Sequence, residues 1–152
     1  IINLQGDMPV FDPNVLQNLV SKIKSEDITT LVCKANVDEI SDPNVVKAVI
    51  SWDKNDEDHG TALYFSRSKV PYNARTYWHH IGIYAWKRDS LKKFISLPVS
   101  DLEKTEKLEQ LRALENGMII KAVKTKDNFI GVDTQKDLNK VRNKFKHKSE
   151  SN

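Results

Sequence analysis

The sequence predicts an α/β protein, and three features carry that prediction. The chain opens on an apolar run, a stretch with helical periodicity and a second apolar run, the βαβ pattern of a sheet with a parallel pair. Two β-rich segments then flank one polar turn, which is typical of an antiparallel hairpin. The last third returns to alternating helix and strand patterns. We therefore expect an α/β sheet with an inserted antiparallel hairpin region.

The N-terminal unit begins with the apolar segment Ile1–Gln5, which we interpret as a buried strand. Asp12 and Pro13 supply an N-cap and a proline at the first helical position. The apolar stripe of this helix consists of Val15, Leu16, Leu19, Val20 and Ile23. Ile28–Cys33 is the second strand. Because a domain rarely opens in mid-strand, we expect a section N-terminal to Ile1 to be missing.

The middle of the chain predicts three antiparallel strands. Val45–Trp52 and Thr61–Arg67 are rich in Val, Ile, Tyr and Phe and should pair around the polar turn between them. Trp78–Trp86 should lie beside this hairpin. On that strand, His80, Gly82, Tyr84 and Trp86 alternate with the apolar residues Ile81, Ile83 and Ala85, so the two sets should occupy opposite faces.

The last third predicts three helices and one strand. Arg88–Leu97 is a short helix, and Ser100 opens a longer one through a capping box, ending at Asn116–Gly117. Met118–Lys124 is a strand, and Asp133 or Thr134 caps a final helix that ends near Lys146. Residues 147–152 form a polar tail. The domain is therefore expected to span residues 1–146.

The composition excludes several classes of protein. No apolar run approaches the roughly 20 residues of a membrane-spanning helix. A single cysteine, Cys33, excludes an intramolecular disulfide framework and a cysteine-rich zinc site, and it suits a reducing compartment such as the cytoplasm. Five glycines, none in a GxGxxG or GxxxxGK[ST] pattern, leave no phosphate loop. The net charge of +3 is weak support for a nucleic-acid partner.

Two aspartates occupy positions where ligands bind in open α/β sheets. Asp7 follows the carboxyl end of a strand, and Asp133 lies at a strand-to-helix junction. Carboxylates that converge there suit Mg²⁺ together with substrate phosphate oxygens. By position alone, however, the commoner roles are a turn residue for Asp7 and an N-cap for Asp133, because aspartate is frequent at turns and caps.

Other polar residues are candidates for a substrate site. His80 lies on one face with Tyr84 and could bind a polar ligand, whereas His79 falls on the apolar face and suits a core or interface. Arg67 ends a strand, where it could pair with a substrate carboxylate or form a surface ion pair. Glu109 and Gln110 lie close to a buried stripe and could bind sugar hydroxyls, although a charged helix face is ordinarily just solvated.

Five motifs in this order resemble one known family. They are Leu4-Gln5-Gly6-Asp7-Met8-Pro9, Ala62-Leu63-Tyr64-Phe65-Ser66-Arg67, His80-Ile81-Gly82-Ile83-Tyr84, Leu108-Glu109-Gln110-Leu111-Arg112 and Gly131-Val132-Asp133-Thr134. Each motif is weak alone, but the series resembles the 3-deoxy-manno-octulosonate cytidylyltransferases, or CMP-Kdo synthetases, over roughly residues 1–146. Their fold is a nucleotide-diphospho-sugar transferase-like sheet, and this chain would be incomplete at its N-terminus.

The resemblance implies a function and roles for single residues. Such enzymes activate the acid sugar Kdo with CTP for lipopolysaccharide biosynthesis, use Mg²⁺, and are cytoplasmic dimers without nucleic-acid or membrane partners. It implies that Asp7 and Asp133 are the catalytic, Mg²⁺-binding aspartates. It also implies that the Kdo pocket is lined by Gln5, Arg67, His80, Tyr84, Glu109 and Gln110.

Two departures from the family pattern leave alternatives open. Met8 stands where the family motif has a glutamate, and the family's loop for the CTP triphosphate has no counterpart here. We therefore expect this chain to be inactive alone. The alternatives are a non-catalytic remnant or dimerisation module of such an enzyme, a fragment of a sialic-acid-type cytidylyltransferase, and a basic nucleic-acid binder.

Overall fold

The protein is described from a computed structural model, which covers residues 1–4, 13–21, 23, 26–126, 135, 138–139 and 142. The strands in this part of the chain are β1 (Ile2–Asn3), β2 (Ile28–Lys34), β3 (Lys47–Trp52), β4 (His59–Ser66), β5 (Trp78–Trp86) and β6 (Ile120–Lys124). The helices are α1 (Pro13–Ser21), α2 (Val37–Ile40), α3 (Arg88–Ser96), α4 (Asp101–Glu106) and α5 (Gln110–Glu115). Of the final helix predicted from the sequence, residues 135, 138–139 and 142 are described, and they are helical. The polar tail lies outside the described residues.

The described strands form one mixed sheet in the order β1-β5-β2-β6-β4-β3. The hydrogen-bonded parallel pair is β2 with β6, and Ile28 lies opposite Ile120. The βαβ pattern led us to expect β1 and β2 as that pair. Both instead pair antiparallel with β5, which lies between them. The βαβ pattern of the first 33 residues could not show that β5, which starts 50 residues after β2 starts, would lie between β1 and β2.

The expectation of a buried first strand is also wrong. Ile1, Ile2 and Leu4 are 62%, 40% and 41% exposed, because β1 lies at the edge of the described sheet. Its contacts are with β5, where Ile2 lies opposite Ala85. An apolar composition signals a strand but does not distinguish a central strand from an edge strand.

The antiparallel hairpin expected in the middle of the chain is confirmed. β3 and β4 pair with Ala48 opposite Phe65, and β3 also reaches β5, where Ala48 lies opposite Trp78. At Gly60 the two strands lie so close that an added Cβ would come within 2.6 Å of Ile50 Cγ2. The hairpin therefore curls against β5 and lies beside it, as the sequence predicted.

The sheet separates two apolar cores. On one face α1 contributes Val15 and Leu19, which pack with the β5 residues Ile81, Ile83 and Ala85. On the other face, the cluster contains Phe65, Tyr84, Trp86, Phe94, Leu108 and Leu111. The predicted division of β5 into two faces is confirmed, and the second core, covered by α3 and α5, carries the candidate polar residues.

The long helix expected from Ser100 to Asn116 is two helices. Lys107 adopts a left-handed conformation, with φ of 56°, between α4 and α5. Leu108, beyond this break, is buried in the core, and its amide donates to the Glu103 carbonyl. The capping box and the C-terminal glycine predicted the outer ends, but no glycine or proline marks the interruption. Lys107 is an unusual residue for this conformation, which costs about 1 kcal/mol.

Candidate functional site

A row of aromatic rings crosses the helix-covered face of the sheet. The His80 ring lies 4.7 Å from the Phe65 ring and 5.5 Å from the Tyr84 ring, between ring centroids. Trp86 continues the row between Tyr84 and Phe94. His80 is therefore a buried residue packed among aromatic neighbours.

His80 is held by a single hydroxyl of β2. The Thr30 hydroxyl lies within hydrogen-bond distance of two carbonyls, those of Ile81 and Ile83, and of Nε2 of His80. Because a hydroxyl has one proton, and here that proton points to the carbonyls, Thr30 accepts a hydrogen bond from Nε2–H. Burial lowers the pKa of His80 to about 3, with a further contribution from His79. His80 is thus a neutral imidazole with its proton on Nε2.

Tyr84, Glu109 and Gln110 lie around the start of α5. Burial raises the pKa of Tyr84, and the Glu109 carboxylate adds to the effect, so the two side chains are electrostatic neighbours. Glu109 itself is exposed. Gln110 is 7% exposed, and its side-chain amide makes no hydrogen bond to another described residue. A side-chain amide that has no partner within the protein is available to hydrogen-bond a polar ligand.

Arg67 is fixed by backbone carbonyls rather than by a surface ion pair. Its Nε donates to the Glu106 carbonyl at 3.0 Å, and Nη1 donates to the Pro43 carbonyl at 3.1 Å. Nη2 lies 3.5 Å from the Lys107 carbonyl. A guanidinium has five N–H donors, so this arrangement leaves two free for an anion. The described geometry fits a preset carboxylate-binding group.

Glu106 is a residue of this site that the sequence reasoning missed. Its Oε1 accepts hydrogen bonds from the hydroxyls of Ser66 and Tyr64, at 2.7 and 3.3 Å. Its Oε2 accepts from the backbone amide of Arg67 at 3.0 Å. We had interpreted the α4 acidic residues as a solvated face. No sequence signal marks Glu106, because its contacts depend on a break between α4 and α5 that has no glycine or proline.

Lys47 is a second residue that the sequence did not single out. Its side chain is fully buried, and Nζ donates to the carbonyls of Asp42 and Val45. Burial lowers its pKa, an effect that the neighbouring Asp42 opposes. The loop that Lys47 ties down includes Pro43, whose carbonyl holds Arg67. Lys47 therefore supports the loop whose Pro43 carbonyl holds the arginine.

His79 is confirmed on the face of β5 away from this site. Its Nδ1 lies 3.5 Å from a carboxylate oxygen of Glu39, and both side chains are half-buried. Burial lowers the pKa of His79, whereas the Glu39 carboxylate acts to raise it. The contact joins α2 to the sheet and is consistent with a structural histidine.

Three of the predicted site residues lie outside the described part of the chain: Gln5, Asp7 and Asp133. The structure thus brings together Arg67, His80, Tyr84, Glu109 and Gln110 around β4, β5 and the α4–α5 junction. Within the described ranges, no group of three or more His, Cys, Asp or Glu side chains could hold a metal.

A separate cavity of about 400 Å³ opens where β2 and β6 end. Its walls include Lys34, Lys124, Trp78 and Asp58. The ammonium of Lys124 lies 4.4 Å from the centroid of the Trp52 ring, so this lysine is already engaged by the hairpin. The cavity contains none of the predicted site residues.

Comparison with known proteins assigns the chain to a family. The family model described as "Cytidylyltransferase" matches residues 1–125, which is most of the chain. The chain belongs to the cytidylyltransferase family. Three of the five motifs that suggested this family in the sequence lie in the described part of this cytidylyltransferase chain, and they carry Arg67, His80 and Gln110.

Curated relatives narrow the resemblance. The chain is 48% identical over 145 residues to the 3-deoxy-manno-octulosonate cytidylyltransferase of Paramagnetospirillum magneticum, covering 93% of this chain and 58% of that protein. It is 43% identical over 159 residues to the enzyme of the same name from Chlorobaculum tepidum, covering 97% and 62%. The cytidylyltransferase chain thus spans about three fifths of the length of these relatives. The family resemblance stated from the motifs is confirmed.

Solved structures confirm the expected fold class. A CMP:2-keto-3-deoxy-manno-octonic acid synthetase complexed with CTP matches with a TM-score of 0.85 and 35% identity, over 97% of this chain and 61% of that one. A UTP-bound UGPase from Acinetobacter baumannii matches with a TM-score of 0.65 and 13% identity, over 91% and 48%, and supports the fold alone. Among the helices of the described residues, none has the length and apolar character needed to cross a membrane.

Proposed function

We propose that this chain supplies the acid-sugar site of a 3-deoxy-manno-octulosonate cytidylyltransferase. The complete reaction joins the anomeric hydroxyl of Kdo to the α-phosphorus of CTP, breaks the bond to the β-phosphate, and yields CMP-Kdo and pyrophosphate. Its product would serve lipopolysaccharide biosynthesis. The support is the activity for which relatives that are 43–48% identical are named, together with the polar geometry around β4 and α5.

One observation carries the proposal: Gln110 is 7% exposed, and its side-chain amide makes no hydrogen bond to another described residue. A largely enclosed amide that is not used inside the protein is available to bind a polar ligand. Glu109, its exposed neighbour, adds an acceptor for a second hydroxyl. A polyhydroxylated sugar provides donors and acceptors for both side chains.

The remaining residues orient the sugar. Arg67 has two N–H donors left after its contacts with backbone carbonyls, which suits bidentate binding of the Kdo carboxylate. His80 is neutral and donates through Nε2 to Thr30, so Nδ1 is the nitrogen that could accept from a sugar hydroxyl. Fixing the carboxylate and the hydroxyls positions the anomeric oxygen for in-line attack and lowers the entropy cost of the reaction.

We propose Mg²⁺ as the cofactor, held by Asp7 and Asp133. The donor chemistry fits, since Mg²⁺ favours one or two carboxylates with substrate phosphate oxygens, although both aspartates lie outside the described residues. When bound, the ion would neutralise charge on the phosphate oxygens. Gln5 and Tyr84 are proposed to complete the wall of the sugar site. Because Met8 replaces the glutamate of the family motif, the proposed metal site has one carboxylate fewer nearby.

A cytoplasmic location and a homodimer complete the proposal. The single cysteine and the reducing compartment that it suits support the location. The dimer rests on the family resemblance alone. Residues 1–152 by themselves are expected not to release pyrophosphate, because no glycine-rich phosphate loop occurs in this sequence and triphosphate binding would be weak.

A chimera tests this function directly. The matched region of the Paramagnetospirillum magneticum enzyme is replaced by this chain, and pyrophosphate release is measured with CTP and Kdo. We expect turnover with Kdo, and about a hundredfold less in Gln110→Leu, because the sugar loses a positioning hydrogen bond in a buried site. Val99→Ala, at an exposed apolar position, is the control.

Two outcomes would contradict the proposal. Turnover with N-acetylneuraminic acid but not with Kdo would assign the chain to the sialic-acid-type enzymes. A folded chimera without activity on either sugar would favour a non-catalytic or dimerisation module.

A further inference from the structure

Among the described carboxylates, Glu106 is the one that hydrogen-bonds to the end of β4. Its carboxylate binds the backbone amide of Arg67 and two hydroxyls, those of Tyr64 and Ser66. Its backbone carbonyl accepts from Nε of the same arginine at 3.0 Å. One residue thus fixes both the main chain and the guanidinium of Arg67.

The helix break at Lys107 explains how this is possible. Because Lys107 leaves the α-helical conformation, the carbonyls at the end of α4 have no partners inside the helix. Those of Glu106 and Lys107 face the guanidinium, which also lies at the negative end of the helix dipole. The break therefore provides the acceptors that aim Arg67.

A second segment that holds the guanidinium is the loop around Pro43, which a buried lysine ties down. The Pro43 carbonyl accepts from Nη1 of Arg67, and the carbonyls on either side, of Asp42 and Val45, accept from Lys47. This loop cannot move away from Arg67 without breaking the hydrogen bonds of a fully buried ammonium. The guanidinium is thus held from two directions.

From these contacts we infer that Glu106 is a positioning residue, which aims the free N–H donors of Arg67 at the carboxylate of the acid sugar. This inference rests on the proposed function. A purely structural role would change stability but not the preference for a charged sugar. A positioning role changes that preference, because a misplaced guanidinium loses its bidentate contact with the carboxylate.

The test compares two glutamates of the same helix in the 152-residue chain. Glu106→Ala removes the carboxylate beside Arg67. Glu103→Ala removes a carboxylate that instead pairs with Arg112, at 2.7 Å from Nε, and is the matched control. Binding of Kdo and of its uncharged methyl ester is measured by NMR titration, and urea unfolding of each variant is measured alongside.

We expect wild type to prefer Kdo over its ester by about a hundredfold, as for a charge pair in a site. Glu106→Ala should lower Kdo affinity about tenfold and leave ester affinity unchanged, with Glu106→Gln in between. Glu103→Ala should lose stability but keep the preference. If Glu106→Ala retains the full preference while Arg67→Ala abolishes it, the inference is overturned and the sugar site stands. If wild type binds neither compound, the proposed function and this inference fall together.

Discussion

Nε2 of His80 lies 3.0 Å from the hydroxyl oxygen of Thr30, on the neighbouring strand β2. The hydroxyl proton is directed to backbone carbonyls, so the contact selects one tautomer of a neutral imidazole. Adding a proton to His80 would place a charge among the rings of Phe65 and Tyr84. Protonation of His80 is therefore coupled to the packing of these rings.

His80 should remain neutral well below neutral pH, since burial lowers its pKa to about 3 from about 6.5 in the unfolded chain. Between these values the unfolded state binds more protons, so stability is lost as the pH falls from 6.5 towards 3. The slope from this group is about 1.4 kcal/mol per pH unit. His80→Gln should remove that part of the slope in urea unfolding. NMR titration of the imidazole nitrogens should find Nε2–H throughout, and a midpoint near 6.5 would contradict the assignment.

Thr30→Val provides the companion measurement. The variant keeps the shape of Thr30 but removes the hydroxyl that accepts from His80. We expect the nitrogen spectrum of His80 to show both tautomers in this variant. A spectrum still confined to Nε2–H would mean that another group selects the tautomer.

Lys47 should stabilise the protein more as the pH rises. Burial lowers its pKa below the unfolded value of about 10.5, so the unfolded state takes up its proton first as the pH falls. Stability from this group is therefore lost as the pH falls through 10.5 and regained as it rises. The difference in unfolding free energy between wild type and Lys47→Met should shift in favour of wild type between pH 8 and 10. A difference independent of pH would contradict the prediction.

Gly60→Ala should destabilise the hairpin by about 2 kcal/mol, because overpacking a close strand contact forces neighbours to move. The new Cβ would lie 2.6 Å from Ile50 Cγ2 and 2.8 Å from the Ser51 carbonyl oxygen. Gly117→Ala is the comparison. Nothing lies within 4 Å of its added Cβ, so its cost comes from the φ of 70° alone. Urea unfolding should rank Gly60→Ala as the more damaging change, and equal stabilities of wild type and Gly60→Ala would disprove the close contact.

Asp7→Asn and Asp133→Asn should each reduce turnover of the chimera by at least about a hundredfold, because each removes a charge from the proposed Mg²⁺ site. Asp89→Asn, an exposed residue of α3, should leave turnover unchanged. The assay is CMP-Kdo formation at limiting Mg²⁺. Near-normal turnover of both variants would refute the metal assignment.

The sequence predicted the local elements well and the long-range arrangement poorly. Trp78–Trp86 was assigned to its full length, because its alternating faces are a local signal. The place of β1 at an edge depends on which later strand pairs with it. The local sequence of β1 does not determine that partner. Among the described site residues, His80 and Gln110 came from motifs. Glu106 was missed because its role depends on a helix break that has no glycine or proline signal.

The central claim, that the described residues around α5 bind an acid sugar, is tested most directly by titrating ¹⁵N-labelled chain with Kdo. We expect saturable binding, with the largest shifts at the Gln110 side-chain amide and at the Arg67 guanidinium. In Gln110→Leu the Arg67 shifts should require at least about tenfold more sugar, because the sugar loses its hydrogen bond to the Gln110 amide. Shifts confined to the cavity beside Lys34 and Trp78, or no saturable change, would contradict the account.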